Sequence, residues 1–176
     1  MDKVLKYFIE NPEKEFYVRE IAKKENKSPT TISKVLKNYQ KKKVLVSEEK
    51  LNHLMFRANS ESIEYKLIKI NHNLNKLYVS GLISYLESEF NYPSAIVLFG
   101  SFSKGEDGKE SDVDIFLASN SKKEVDLTKY EMKIGRKVQL FVYSYSDIDR
   151  MKEKNKELLN NVLNGIVLSG FLEVFR

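Results

Sequence analysis

Ala95-Ile-Val-Leu-Phe-Gly-Ser-Phe-Ser-Lys-Gly-Glu-Asp-Gly-Lys-Glu-Ser-Asp-Val-Asp-Ile-Phe-Leu-Ala-Ser119 is the stretch on which the reading of this chain turns. Ala95 to Phe99 is an unbroken apolar run with the length and β-branched content of a buried strand, and it stops abruptly at Gly100-Ser101. A second run, Ile115 to Ala118, is preceded by two carboxylates one residue apart, Asp112 and Asp114. Residues i and i+2 of a strand project from the same face, so the two acids point together. Two aligned carboxylates repel unless a cation lies between them, and magnesium suits the pair. That ion takes one or two carboxylates and fills its remaining positions with water and substrate phosphates. Gly100-Ser101 supplies a complementary half: glycine lets backbone approach a ligand closely, and Ser101 opens a helix start whose N–H groups and hydroxyl favour phosphate oxygens.

Gly100-Ser101, Gly105 and Ser111-Asp112-Val113-Asp114-Ile115 together resemble the signature of the minimal nucleotidyltransferases, small members of the DNA polymerase beta-like superfamily. The likeness covers about residues 93 to 170. It implies an α+β fold, with an α/β-like mixed sheet flanked by helices, two metal ions, a nucleoside triphosphate, and transfer of a nucleoside monophosphate to an acceptor. On the same basis Gly100, Ser101, Lys104 and Gly105 would bind the nucleotide, with Ser101 on the triphosphate, while Asp112 and Asp114 would hold the metals. Such chemistry is mainly positioning plus charge neutralisation, so a short motif can suffice.

The chain departs from that family pattern at two positions. The residue before the second glycine, usually Arg, is Lys104, a point charge that cannot make a bidentate phosphate contact. The family's third carboxylate falls on a later strand, here Lys137-Val138-Gln139-Leu140-Phe141-Val142, where its place in the catalytic set is taken by Gln139. An amide can ligate a metal weakly or hydrogen-bond a hydroxyl, but it cannot serve as a base or compensate positive charge. Asp126 and Glu131 are the remaining acids that could substitute, and both are expected on the intervening helix.

With 176 residues, 41% apolar and 31% charged, the chain has room for one ordinary domain or two small ones of soluble character. The absence of cysteine excludes disulfides and thiolate metal sites and fits a reducing cytoplasm. Met1 to Lys6 lacks the apolar core of a signal peptide, and no run approaches the roughly 20 apolar residues that cross a bilayer, so no membrane partner is expected. The net charge of +5 is unevenly placed: residues 1–60 carry 14 Lys and Arg against 8 Asp and Glu, the remainder 16 against 17. A basic module joined to a neutral one points to a polyanion partner for the first third.

Within that third, Val4, Leu5, Phe8 and Ile9 follow helical spacing until Asn11-Pro12, and Val18, Ile21 and Ala22 mark a second short helix. Ser28-Pro29 reads as an N-cap with proline in the first turn. The helix that follows stripes Ile32, Val35, Leu36 and Tyr39 on one side, and its opposite face carries Thr30, Thr31, Ser33, Lys34, Lys37, Asn38 and Lys41. No acid occurs between Glu25 and Glu48. Val44 to Val46 and Leu54 to Arg57 read as two strands joined by a polar loop, Ser47 to His53. This pattern resembles a winged helix-turn-helix domain over about residues 1–60, with residues 28–43 as recognition helix and the polar loop as wing. Thr30, Thr31, Ser33, Lys34 and Asn38 would then face the major groove of double-stranded DNA, while Lys37, Lys41, Lys42, Lys43 and Lys50 would meet phosphates. A solvated basic face, with Lys41 to Lys43 favoured by the helix dipole, accounts for the same lysines without DNA.

Residues 61–92 read as a connecting helix from Glu61 to Phe90, with a heptad-like seam of Ile63, Leu67, Ile70, Leu74, Leu77 and Gly81. The seam suits packing on its own domain and equally a homodimer reading two half-sites. Residues 93–176 form the nucleotidyltransferase-like domain. His53 and His72 have no ligand partner at metal spacing and read as surface residues, and Tyr143 and Tyr145 alternate at the end of the Gln139 strand as packing residues. Asp147 is placed to cap a last helix to Asn164, followed by a short strand, Gly165 to Gly170.

Three functions compete on this reading. One is a DNA-bound regulator whose second domain binds a nucleoside triphosphate with magnesium and little turnover, because Gln139 replaces an acid. Another is an active magnesium-dependent transferase acting on a protein or small-molecule hydroxyl. The last is an antitoxin-like partner of a small helical HEPN toxin, a pairing that the family resemblance implies.

Overall fold

The computed structural model describes residues 2–50 and 53–175, which divide into two compact units, 1–72 and 73–176. In the first, helix α1 (Lys3–Glu10) is capped by Asp2, whose side chain accepts from the Val4 N–H. Strand β1 (Phe16–Tyr17) leads directly into α2 (Val18–Glu25), and α2 ends at Asn26 in the left-handed region, a conformation asparagine tolerates better than most residues. The Ser28 side chain then caps α3 (Pro29–Lys41) through the Thr31 N–H, with Pro29 in the first turn as its missing N–H allows. Strands β2 (Leu45–Lys50) and β3 (His53–Ala58) pair antiparallel, and β1 adds to β3. Val4, Leu5, Phe8, Ile21, Ile32, Leu36 and Phe56 close the core, with Phe8 edge-on to Phe16 at 5.1 Å between ring centroids.

The polar segment expected as a loop, Ser47 to His53, is instead mostly paired strand: Ser47 opposes Phe56, Glu48 opposes Met55, Glu49 opposes Leu54 and Lys50 opposes His53. Its tip, Leu51 and Asn52, lies outside the described residues. The single connecting helix is also corrected. Helix α4 (Ile63–Ser80) stops at Gly81, whose φ of 81° no helix accommodates, and α5 (Leu82–Glu89) starts anew. Ser80 bridges the break by donating to the Leu77 carbonyl and accepting from the Leu82 N–H. Nor is α4 a free connector. Tyr65 is buried in the first core and donates to the Phe8 carbonyl at 3.0 Å, while Leu77 is buried in the second core.

The second unit is built on a four-stranded mixed sheet. Strand β4 (Ala95–Phe99) runs into the one-turn helix α6 (Gly100–Lys104), and β5 (Val113–Ala118) returns antiparallel beside it. After α7 (Thr128–Ile134), β6 (Val138–Tyr143) lies parallel to β5 at one edge. Helices α8 (Tyr145–Lys154) and α9 (Lys156–Leu163) precede β7 (Ile166–Gly170), which pairs antiparallel with β4 at the other edge, giving the order β6-β5-β4-β7. The expected last helix is therefore two, broken at Asn155, and it begins at Tyr145 under a capping box of Ser144 and Asp147. Tyr145 is a helix residue, so it does not alternate with Tyr143 along the strand.

Strand alternation sorts the apolar residues into two layers. Ile96, Leu98, Val113, Ile115 and Leu117 pack with Leu77, Leu82, Leu86, Phe102 and Ile134. Ala95, Val97, Phe99, Phe116 and Ala118 pack with Ile148, Met151, Leu159 and Val162. Both central strands are buried on both faces, and this explains why they read as continuous apolar runs. Among the described residues no helix is long and apolar enough to cross a membrane.

Candidate functional site

The alternation that buries Phe116 and Ala118 against α8 and α9 carries Asp114, two residues earlier, to the same face at the open end of β5. Asp112 lies one residue before the strand. Gln139 stands opposite Asp114 in the parallel register, and its Nε2 donates to Asp112 Oδ2 at 2.6 Å. Strand β4 ends on the same level, with Phe99 opposite Asp114. The next residue is Gly100 at φ 70°, where a Cβ would fall 2.2 Å from Asp114 Oδ2. Glycine is required there twice, by its backbone angle and by the carboxylate that occupies the space of a side chain.

The one-turn helix α6 presents the remaining signature residues. Ser101 is half-buried, and its carbonyl accepts from the N–H groups of Gly105 and Glu106. Gly105 closes the turn at φ 67°, and Lys104 is exposed. Ser103, which the sequence reading passed over, is buried and donates to the Gly100 carbonyl at 2.8 Å, bracing the turn. Its signal was present: a serine inside a helical turn can hydrogen-bond back to the carbonyl three residues earlier. A second omission is Asn73 of α4, whose side-chain amide donates to the Phe102 carbonyl at 3.0 Å and to Asp107 at 2.8 Å. Arg136 was missed as well; it donates to the Gly108 carbonyl at 3.0 Å and to that of Lys109, holding the loop before Asp112.

Asp114 has its carboxyl pushed above the usual carboxylate range, first by burial and then by the negative charge of Asp112. Two acids in mutual repulsion beside close-packed backbone are a donor set that a divalent ion relieves. Among the described residues no group of three His, Cys, Asp or Glu gathers anywhere. Asp112 and Asp114 are the residues that could hold a divalent ion of the kind that takes one or two carboxylates and completes its shell with phosphates and water. Asp126 and Glu131 do not restore the third acid. Asp126 sits ahead of α7, in a loop rather than on the expected helix, and accepts from the Thr128 N–H at 2.9 Å. Glu131 accepts from the Val138 N–H and from Lys137, each at 2.9 Å, and these contacts hold its carboxyl below the usual range.

A family model described as nucleotidyltransferase domain matches residues 79–169. The chain belongs to this family. The match takes in β4, β5, β6, all of β7 but Gly170 and the whole Gly100 to Gln139 constellation, and it begins earlier than the resemblance, including α5. No match emerges from comparison with curated proteins. Within the nucleotidyltransferase domain the signature positions converge: Gly100, Asp112, Asp114 and Gln139 share one end of the sheet.

In the first unit the residues expected to face DNA lie together along α3. Thr30, Thr31, Lys34, Lys37, Asn38 and Lys41 are exposed and Ser33 is half-buried, while Ile32 and Leu36 fill the core. The Thr31 hydroxyl is shared with Ser28 at 2.8 Å, so part of its hydrogen-bonding capacity serves the cap. Lys50 is engaged by Glu15 at 2.7 Å and Glu48 at 3.5 Å. The heptad positions differ in burial: Ile63 and Leu67 are exposed and Leu77 is buried.

Proposed function

We propose that the chain is a DNA-binding regulator whose nucleotidyltransferase domain holds a nucleoside triphosphate with magnesium and turns it over little or not at all. The bond from Gln139 to Asp112 carries this reading, since it puts an amide in the position where an acid would complete the site. Asp112 and Asp114 would hold the ion, and Ser101 with the start of α6 would face the phosphates. Bound there, magnesium supplies neutralisation of the triphosphate charge. The chain's own residues bind and orient but offer no base for an acceptor hydroxyl, because Gln139 has no proton affinity to lend.

The first unit fits a winged helix-turn-helix: α2, the turn at Asn26 and α3 form the helical pair, and β2 with β3 the hairpin. In this reading Thr30, Thr31, Ser33, Lys34 and Asn38 read the major groove and Lys37, Lys41, Lys42 and Lys43 contact phosphates. A homodimer through the exposed Ile63 and Leu67 of α4 would present two such helices to paired half-sites.

Incubation with labelled triphosphates and magnesium tests the claim about turnover. The wild type is expected to leave protein and small-molecule hydroxyl acceptors unmarked. Labelling by the wild type that disappears in an Asp112→Asn, Asp114→Asn protein would overturn the reading in favour of an active transferase.

A further inference from the structure

Charge pairing redistributes the basic character of the first unit. The hairpin carries Glu48 and Glu49, and its Lys50 is held by Glu15 and Glu48, so it has little positive charge to offer a polyanion. On α2, Glu20 is taken by Lys14 at 3.5 Å and Lys24 at 3.0 Å. Arg19 and Lys23 are left with no ion pair among the described residues. They stand one turn apart on the same side of α2, neighbours by helical spacing. Both line an open cleft of about 920 Å³ between α2 and the start of β3, together with Tyr17, Glu20, Lys24 and His53. Tyr17 is 41% exposed, and its ring lies 6.1 Å from that of His53, tilted by 31°. At that separation no base can slide between the rings, so they offer an outer aromatic wall.

We infer that this cleft is a second DNA-backbone site, at which Arg19 and Lys23 each meet a phosphate of double-stranded DNA while Tyr17 and His53 pack against the intervening sugar. Unpaired cations beside an exposed aromatic wall match the alternation of charge and apolar surface along a sugar–phosphate strand. A small anion would leave the wall unused, and a purely apolar ligand would leave the cations unpaired. The inference rests on the DNA-binding reading and adds α2 and the His53 end of the hairpin to a surface otherwise limited to α3.

Fluorescence anisotropy of the full chain on labelled duplex fragments, repeated across a salt series, separates the two claims. Arg19→Ala with Lys23→Ala should flatten the slope of log affinity against log salt by about 1.8, or 0.9 per phosphate contact. Tyr17→Ala with His53→Ala should weaken binding without changing the slope. The substituted side chains are all surface-exposed, and circular dichroism checks that each variant is folded. Salt-dependent wild-type binding with an unchanged slope in the Arg19, Lys23 variant overturns this inference and leaves the reading of α3 intact. A slope change seen only with single-stranded probes also overturns it. Failure of the wild type to bind duplex DNA would remove both claims.

Discussion

Gly100 and Asp114 define one point from two directions, because the carboxylate fills the volume that any other residue would need. The fold bears a cost there. Burial and Asp112 raise the Asp114 pKa, so the folded state favours the neutral acid more than the unfolded chain does. Below the ordinary carboxylate value both folded and unfolded chains are protonated and nothing is lost; as pH rises past it, the unfolded chain ionises first and stability falls until the folded value is passed. Asp114→Asn should therefore raise the Tm at neutral pH, with the gain fading in acid, and on the proposed reading added magnesium should raise the Tm of the wild type and not of this variant. Scanning calorimetry with and without magnesium checks both signs. Gln139→Asp should act oppositely, tightening magnesium binding by roughly tenfold as the charge of the donor set grows. The face occupied by Asp114 was legible because strand periodicity puts it with Phe116 and Ala118. The Gln139–Asp112 bond was not, since it depends on the register of a parallel pair that no local pattern encodes.

Elements announced by an apolar stripe and a cap were readable: Ser28-Pro29 opens α3, and Ile32 and Leu36 face inward. Elements set by tertiary pairing were not. Ser47 to Lys50 looks like a loop by composition, yet it is a strand because β3 lies alongside and satisfies its backbone. Gly81 sits at a heptad position in sequence and ends a helix in the structure, since the spacing pattern carries no information about φ. Glu131, expected on the helix before β6, acts at the junction of the two elements: it accepts from the first N–H of β6 and pairs with Lys137. Its lowered pKa means that the stabilisation is full above the ordinary glutamate value and is lost as pH falls through the folded value. Glu131→Gln should cost about 1 kcal/mol near neutrality, allowing for solvent screening, and nothing in strong acid. Urea unfolding at two pH values measures the difference.

Over the molecule as a whole, charge separated the first third from the remainder in the sequence, but it did not locate the division. The boundary between compact units falls at His72 and Asn73, inside α4, because Tyr65 and Leu77 of that one helix belong to different cores. A linker is recognised in sequence by polarity or by glycine and proline, and a helix that is apolar at both ends has neither mark. Membership in the nucleotidyltransferase family accounts for the second unit, and the proposed role of the whole chain depends on whether a site with two acids and an amide retains its ligand. Isothermal titration of the intact chain with each of the four ribonucleoside triphosphates, in magnesium, addresses this most directly. Saturable binding of at least one triphosphate that vanishes with EDTA and in the Asp112→Asn, Asp114→Asn protein is predicted; no heat from any of the four, or binding indifferent to magnesium, would contradict it.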